Sequence, residues 1–192
     1  MSNYLIIGAS SGIGKKLAEQ LVDSGRQVCA TYFKNKPELN SGLPDYHYLN
    51  VLDENTSIDF LSDSLDGVVY CPGSINLRSF DRIKPTDFVN DFNLQVSASK
   101  GAIEGLTRAL ASEFAPKIRV NCIAPSLTDT AMAAPLLNTD QKREANAVRH
   151  PLKKYGAARN IADMAEFLLS DKGSWISGQI FHVDGGMSSL KV

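Results

Sequence analysis

Short apolar runs alternate along this chain with longer stretches in which apolar residues recur every three or four positions. The runs have the look of strands buried on both faces, and the spaced residues that of helices lying on a sheet. Tyr4–Ile7 is the first run and ends at Gly8. Ile13, Leu17 and Leu21 then repeat at helical spacing, with Gly25 placed as a C-terminal stop. Val28–Thr31 predicts a second strand, Tyr46–Leu49 a third, and Gly67–Tyr70 a fourth that breaks at Pro72-Gly73. Pro85-Thr86-Asp87 opens a helix by residue type. Ile118–Ile123 predicts another strand, stopped by Pro125. Asn160-x-x-Asp163 is placed to cap a helix whose apolar face is Ile161, Met164, Ala165 and Leu168. Ile180–Val183 predicts the last strand, ending at Asp184-Gly185-Gly186. Residues Ala131–Lys154 sustain no period and read as a long excursion over the sheet edge, the usual place of a lid. The alternation points to an α/β fold, a parallel sheet with helices on its faces.

Composition narrows the class. The 192 residues suit one domain, taken here as 1–192, and are 43% hydrophobic and 21% charged. A net charge of −1 with interspersed signs gives no footprint for nucleic acid or a membrane surface. Cys29, Cys71 and Cys122 stand far apart, which favours buried reduced thiols over a disulfide framework or a metal site. His47, His150 and His182 are equally scattered, so no zinc site is expected. There is no charged-then-apolar leader and no bilayer-length apolar stretch, so the expected compartment is the cytoplasm.

The first strand-to-helix turn carries chemistry. Gly8-Ala-Ser-Ser-Gly12-Ile-Gly14 places glycines at i, i+4 and i+6. A tight turn needs tolerance of positive φ, and close backbone approach to a pyrophosphate needs a residue without Cβ. The free N–H groups and positive end of the next helix then face the phosphates. This motif resembles the glycine motif of the short-chain dehydrogenase/reductase family, and further segments match in order. Cys71-Pro-Gly73 stands where that family has Asn-Ala-Gly. Asp91-Phe-Asn93-Leu resembles its asparagine segment, and Ser97-Ala-Ser-Lys100-Gly-Ala the latter part of its Tyr-x-x-x-Lys helix. Ile118-Arg-Val-Asn-Cys-Ile-Ala-Pro125 and Ile176-Ser-Gly-Gln-Ile-Phe-His-Val-Asp-Gly-Gly186 match its last two strands. The resemblance implies a Rossmann-type doubly wound parallel sheet in three layers, α/β/α.

It also implies a nicotinamide dinucleotide. Gly8, Ser10, Ser11, Gly12, Ile13 and Gly14 would hold its phosphates. No carboxylate ends the second strand, and Lys34 and Lys36 follow it, which favours NADP over NAD, with NAD possible. Asn50 and Val51 would meet the adenine. Cys71, Gly73, Pro125, Thr128 and Thr130 would line the rest of the cofactor, and Ser126 replaces the family's usual glycine. Lys100 would hold the ribose and assist catalysis, with Asn93 in a supporting catalytic role.

Two pieces of the family's chemistry are absent from their expected places. Four positions before Lys100 stands Val96, where the family has its acid/base tyrosine, and valine moves no proton. Asn93 and Val96 are separated only by Leu94 and Gln95, where the family inserts a strand bearing its serine. Either the deletion is real and two helices have fused across about 86–114, or the sequence lacks a stretch that the molecule carries. The expected function is NADP(H)-dependent hydride transfer to or from a small carbonyl or alcohol; the alternative is a catalytically idle dinucleotide-binding protein. The resemblance also implies a homodimer or homotetramer.

Overall fold

The computed structural model describes residues 2–38, 44–73 and 93–191, with the side chains of 93–99 outside the description. Strands β1 (Asn3–Ile7), β2 (Gln27–Tyr32), β3 (Asp45–Tyr48) and β4 (Gly67–Tyr70) form a parallel sheet in the order β3-β2-β1-β4. In the register Tyr4 lies between Val28 and Gly67. Strand β5 (Cys122–Pro125) pairs in parallel with β8 (Ile180–Val183), and the short β6 (Thr128–Asp129) with β7 (Gly156–Ala157). The helices are α1 (Gly12–Asp23), α2 (Asn93–Phe114), α3 (Asp140–Arg149) and α4 (Ala158–Leu169).

Helices α1 and α4 pack side by side on one face, burying Leu17, Ala18, Leu21 and Ala162 against Ile6 and Ala30. Each leucine so buried contributes about 1.5–3 kcal/mol. Polar bonds tie α1 and the turn after it to α4: Gln20 donates to Asp163 at 2.7 Å and Arg26 pairs with Glu166 at 3.1 Å. Along β5 successive side chains point to opposite faces. Ile123 joins the α1/α4 core, whereas the Cys122 thiol lies beside Thr107 of α2. Helices therefore cover both faces, and the architecture is the Rossmann-like α/β arrangement. No described helix is long and apolar enough to cross a membrane.

Four details differ from the pattern reading. The strand expected over Ile118–Ile123 starts only at Cys122. Before it, the chain bonds irregularly to the 173–178 loop: Arg119 donates to the carbonyls of Leu168 (2.7 Å) and Gly173 (2.8 Å), and Gly178 N–H to Val120 (2.7 Å). Asn160 is the third helical residue of α4 rather than its cap. Its Oδ1 accepts from Ala157 N at 2.9 Å, the reach-back half of a capping box. The 131–154 excursion is not irregular throughout, for it holds a 3-10 turn at Ala131–Leu136 and then α3, whose cap Thr139 accepts from Lys142 N. Helix α3 buries no residue, so it had no apolar period to show. The cysteines are free, as expected, but half-buried. The helix opening at Pro85 and the stretch 86–92 lie outside the described residues; from Asn93 to Phe114 the helix is continuous.

Candidate functional site

The turn after β1 is fixed from behind by neighbouring strands. Gly8 N donates to the Thr31 hydroxyl (3.0 Å) and Ala9 N to the Thr31 carbonyl (2.8 Å). From β3, the buried Tyr46 hydroxyl donates to Ala9 O at 3.1 Å, and burial raises that phenol's pKa, so it stays protonated. Gly8 and Gly12 adopt φ of +82° and +57°, the left-handed region. At Gly14 a Cβ would stand 2.5 Å from the Gly8 carbonyl oxygen, so α1 starts closer to the turn than any side chain permits. The Ser11 side chain does not cap α1. The amides of Gly12, Ile13 and Gly14 therefore keep the unspent donors of a helix start, aimed at the turn.

Other segments close around this turn. A Cβ on Gly8 would meet Pro72 N at 3.1 Å, which sets the Cys71-Pro72 end of β4 against the glycine loop. The strand order reverses direction between β1 and β4, and ligands of open α/β sheets sit beyond the carboxyl ends at such a point. A Cβ on Gly12 would meet the Thr130 methyl at 3.3 Å, which brings the segment after β5 to the same place. A backbone cradle whose turn is built on three positions without Cβ fits a diphosphate held by backbone amides.

The other expected residues are spread over several elements. Lys34 is exposed just past β2, its ammonium 5.8 Å from the Phe33 ring center. Asn50 spends its Oδ1 on Leu52 N (3.1 Å), shaping the turn after β3, and Val51 is exposed there. Burial lifts the Cys71 thiol to about 11, so it is a neutral, poorly nucleophilic group; Gly73 is exposed with open space around it. Lys100 is exposed on α2. The side chain of Asn93, and that of Val96, lie outside the described residues.

Beyond β5 a line of hydrogen bonds runs through the site. The Thr130 hydroxyl donates to Thr128 O (3.4 Å), and the buried Thr128 hydroxyl to Ser126 O (3.0 Å). The Ser126 hydroxyl lies 2.9 Å from His150 Nε2, and His150 Nδ1 lies 2.8 Å from Asn146 O of α3. Pro125 is exposed at the end of β5. The Ser126–His150 pair was not among the expected site residues; serine in place of glycine after Pro125 was its visible signal. Among the described residues no cluster of His, Cys, Asp or Glu is arranged to hold a metal.

Comparison with known proteins decides the lineage. A family model described as enoyl-(acyl carrier protein) reductase matches residues 74–188. The chain belongs to the short-chain dehydrogenase/reductase family. Among curated short-chain dehydrogenase/reductase relatives, the 3-oxoacyl-[acyl-carrier-protein] reductase of Staphylococcus epidermidis is 28% identical over 239 residues, covering 95% of this chain and 97% of that protein. The aligned span exceeds the 192-residue chain, so that relative carries residues with no counterpart here. Solved structures share the fold. The ligand-free aldohexose dehydrogenase of Thermoplasma acidophilum superposes with a TM-score of 0.87 at 21% identity, over 100% of this chain and 96% of that one. ElxO with NADP bound gives 0.83 at 24% identity, over 98% and 99%.

Proposed function

We propose that this chain is an NADP(H)-binding oxidoreductase acting on a small carbonyl or alcohol substrate. The observation that carries the reading is the Gly14 approach, which no side chain fits and which turns the first α1 amides toward one point. In this reading Ser10, Ser11, Gly12, Ile13 and Gly14 hold the diphosphate, with Gly8 shaping the turn. Lys34 attracts a 2′-phosphate, and Asn50 and Val51 flank the adenine. Cys71, Gly73, Pro125, Thr128 and Thr130 line the nicotinamide half, Lys100 holds the ribose, and Asn93 supports the chemistry. When bound, the cofactor supplies or accepts hydride. The protein's own groups orient the substrate and exclude water from it. NADP bound to ElxO, a protein of the same fold, agrees with the choice of cofactor.

The chain acts in the cytoplasm as a homodimer or homotetramer, with neither nucleic acid nor a membrane as partner. The exposed Ile103 and Leu106 of α2 favour self-association through that helix. A second reading, an idle dinucleotide-binding protein, draws on Val96 in place of the family's tyrosine and on the missing segment that carries its serine. Titrating the protein with NADPH and NADH, followed by cofactor fluorescence, tests the proposal. Saturable binding with NADPH the tighter is expected; failure of both to bind overturns it. Turnover of an aldehyde and ketone panel with NADPH separates enzyme from idle binder.

A further inference from the structure

We infer that Ser126 and His150 form an acid/base pair that exchanges a proton with the substrate oxygen at the carboxyl rim of the sheet; this rests on the oxidoreductase reading and supplies the proton donor that reading lacks. His150 is 2% exposed and is held at both ring nitrogens. A carbonyl oxygen only accepts, so the bond to Asn146 O keeps a hydrogen on Nδ1 in either charge state of the ring. In the neutral ring Nε2 is then a lone pair and Ser126 donates to it. In the charged ring Nε2–H donates to Ser126 Oγ, and the hydroxyl hydrogen is free to point outward. The two states differ by one proton and require neither heavy atom to move.

The two residues differ in exposure: His150 is buried and Ser126 is half-buried, so contact with a substrate falls to Ser126. Its position suits the task. Thr107 of α2 lies beside Cys122 at the start of β5, and Ile118 N bonds Phe114 O where the helix leads into that strand. From Thr107 back to Lys100 the helix advances about 10 Å, and from Cys122 to Ser126 the strand advances about 13 Å in the same sense. Lys100 and Ser126 thus reach the same end of the layer. There the Thr130 methyl abuts the glycine turn.

The chemistry balances. In reduction the carbonyl carbon forms a C–H bond with hydride from the reduced nicotinamide dinucleotide, and the π pair moves onto oxygen. That oxygen bonds the Ser126 hydrogen, Ser126 Oγ takes the Nε2 hydrogen of the imidazolium, and the ring is left neutral until it takes a proton from solvent. Oxidation of an alcohol runs the same transfers backward from the neutral ring. Reduction is therefore favoured at lower pH and oxidation at higher pH. Around the ring, α3 contributes Arg149 and the following turn Lys153 and Lys154, with Lys153 Nζ on Val148 O at 3.3 Å. The β8 turn contributes Asp184, whose carboxylate is occupied by the amides of Gly186 and Ser188 at 2.9 Å each, and β8 itself His182. Asp129 of β6 is paired with Arg143 at 3.2 Å.

Two measurements test the pair. In 15N-histidine NMR of the protein alone, the His150 resonances should report Nδ1–H throughout and a Nε2 that gains its proton on acidification. Ser126→Ala should move the Nε2 signal and leave Nδ1 in place. In turnover, Ser126→Ala and His150→Gln should each lower kcat for carbonyl reduction about a hundredfold, leaving NADPH affinity within about threefold. Ser126→Thr should recover most of the rate, and His150→Gln should flatten its pH dependence. Full rate in Ser126→Ala, or loss of NADPH affinity and thermal stability without loss of kcat, reduces the pair to a structural latch and overturns the inference. A wild-type chain that binds NADPH but reduces no carbonyl also overturns it, whereas one that binds no dinucleotide fails the reading beneath it.

Discussion

The β1–α1–β2 unit and the β4–α2–β5 region are written with the same apolar runs and spaced helical residues, yet their side chains meet different surroundings. In the first, Ile6, Leu17 and Leu21 are wholly buried, because α1 and α4 pack side by side on that face of the sheet. In the second, Val68 and Tyr70 of β4 are 54% and 61% exposed, and Leu106 of α2 is 54% exposed. A hydrophobic period identifies which face of an element is apolar; it says nothing of whether a second layer of the same chain covers that face. The first unit is thus a packed platform for the glycine turn, and the second presents apolar surface that the proposed self-association would cover.

The sharpest way to break this contrast is a pair of truncations. Leu17→Ala should cost about 2–5 kcal/mol in urea unfolding, whereas Leu106→Ala should cost under about 1 kcal/mol per protomer at concentrations where the chain is monomeric. Equal costs would show that α2 is packed as tightly as α1. Within the packed unit, Gly14→Ala sets a methyl against the Gly8 carbonyl and should weaken NADPH binding about a hundredfold by titration, since it displaces the α1 amides. At the edge of the platform, Lys34→Ala should narrow the preference for NADPH over NADH by about fivefold, because its exposed ammonium is screened by water.

The smallest effect concerns the thiols. Burial raises both Cys29 and Cys71 from 9.0 to about 11, with Asp45 adding to the rise at Cys29. The unfolded chain gives up these protons first, so stability should decline as pH rises from 9 toward 11, measured by chemical unfolding at each pH. Iodoacetamide at pH 8 should label both residues far more slowly in the native protein than in urea.

Much of the fold was readable because β1, β2, β4 and β8 are apolar runs ended by glycine, proline or a polar turn, each within a residue of its expected span. The glycine turn was readable because positive φ and missing Cβ atoms restrict the residue type at Gly8, Gly12 and Gly14. What escaped did so for physical reasons. Helix α3 buries no residue and is held by its Thr139 cap and by Arg143, which bonds Asp129 and Tyr155, so no apolar period marks it. The start of β5 was misplaced because Ile118 and Val120 have strand composition while Arg119 and Asn121 divert the backbone into side-chain bonds. His150 is far in sequence from Ser126, and the turn after α3 brings its imidazole to the Ser126 hydroxyl.

The pairing of β5 with β8 carries a consequence for how the molecule is made. Among the described residues, β5 has no other strand partner, and each β8 residue is made 58 positions after its β5 partner, as Ile180 after Cys122. A nascent chain emerging from the ribosome can assemble the β3-β2-β1-β4 sheet while β5 still waits for its neighbour. Translation halted before residue 180 would release a polypeptide with its first half organised and the backbone donors and acceptors of β5 unmet, a natural target for chaperones and proteases.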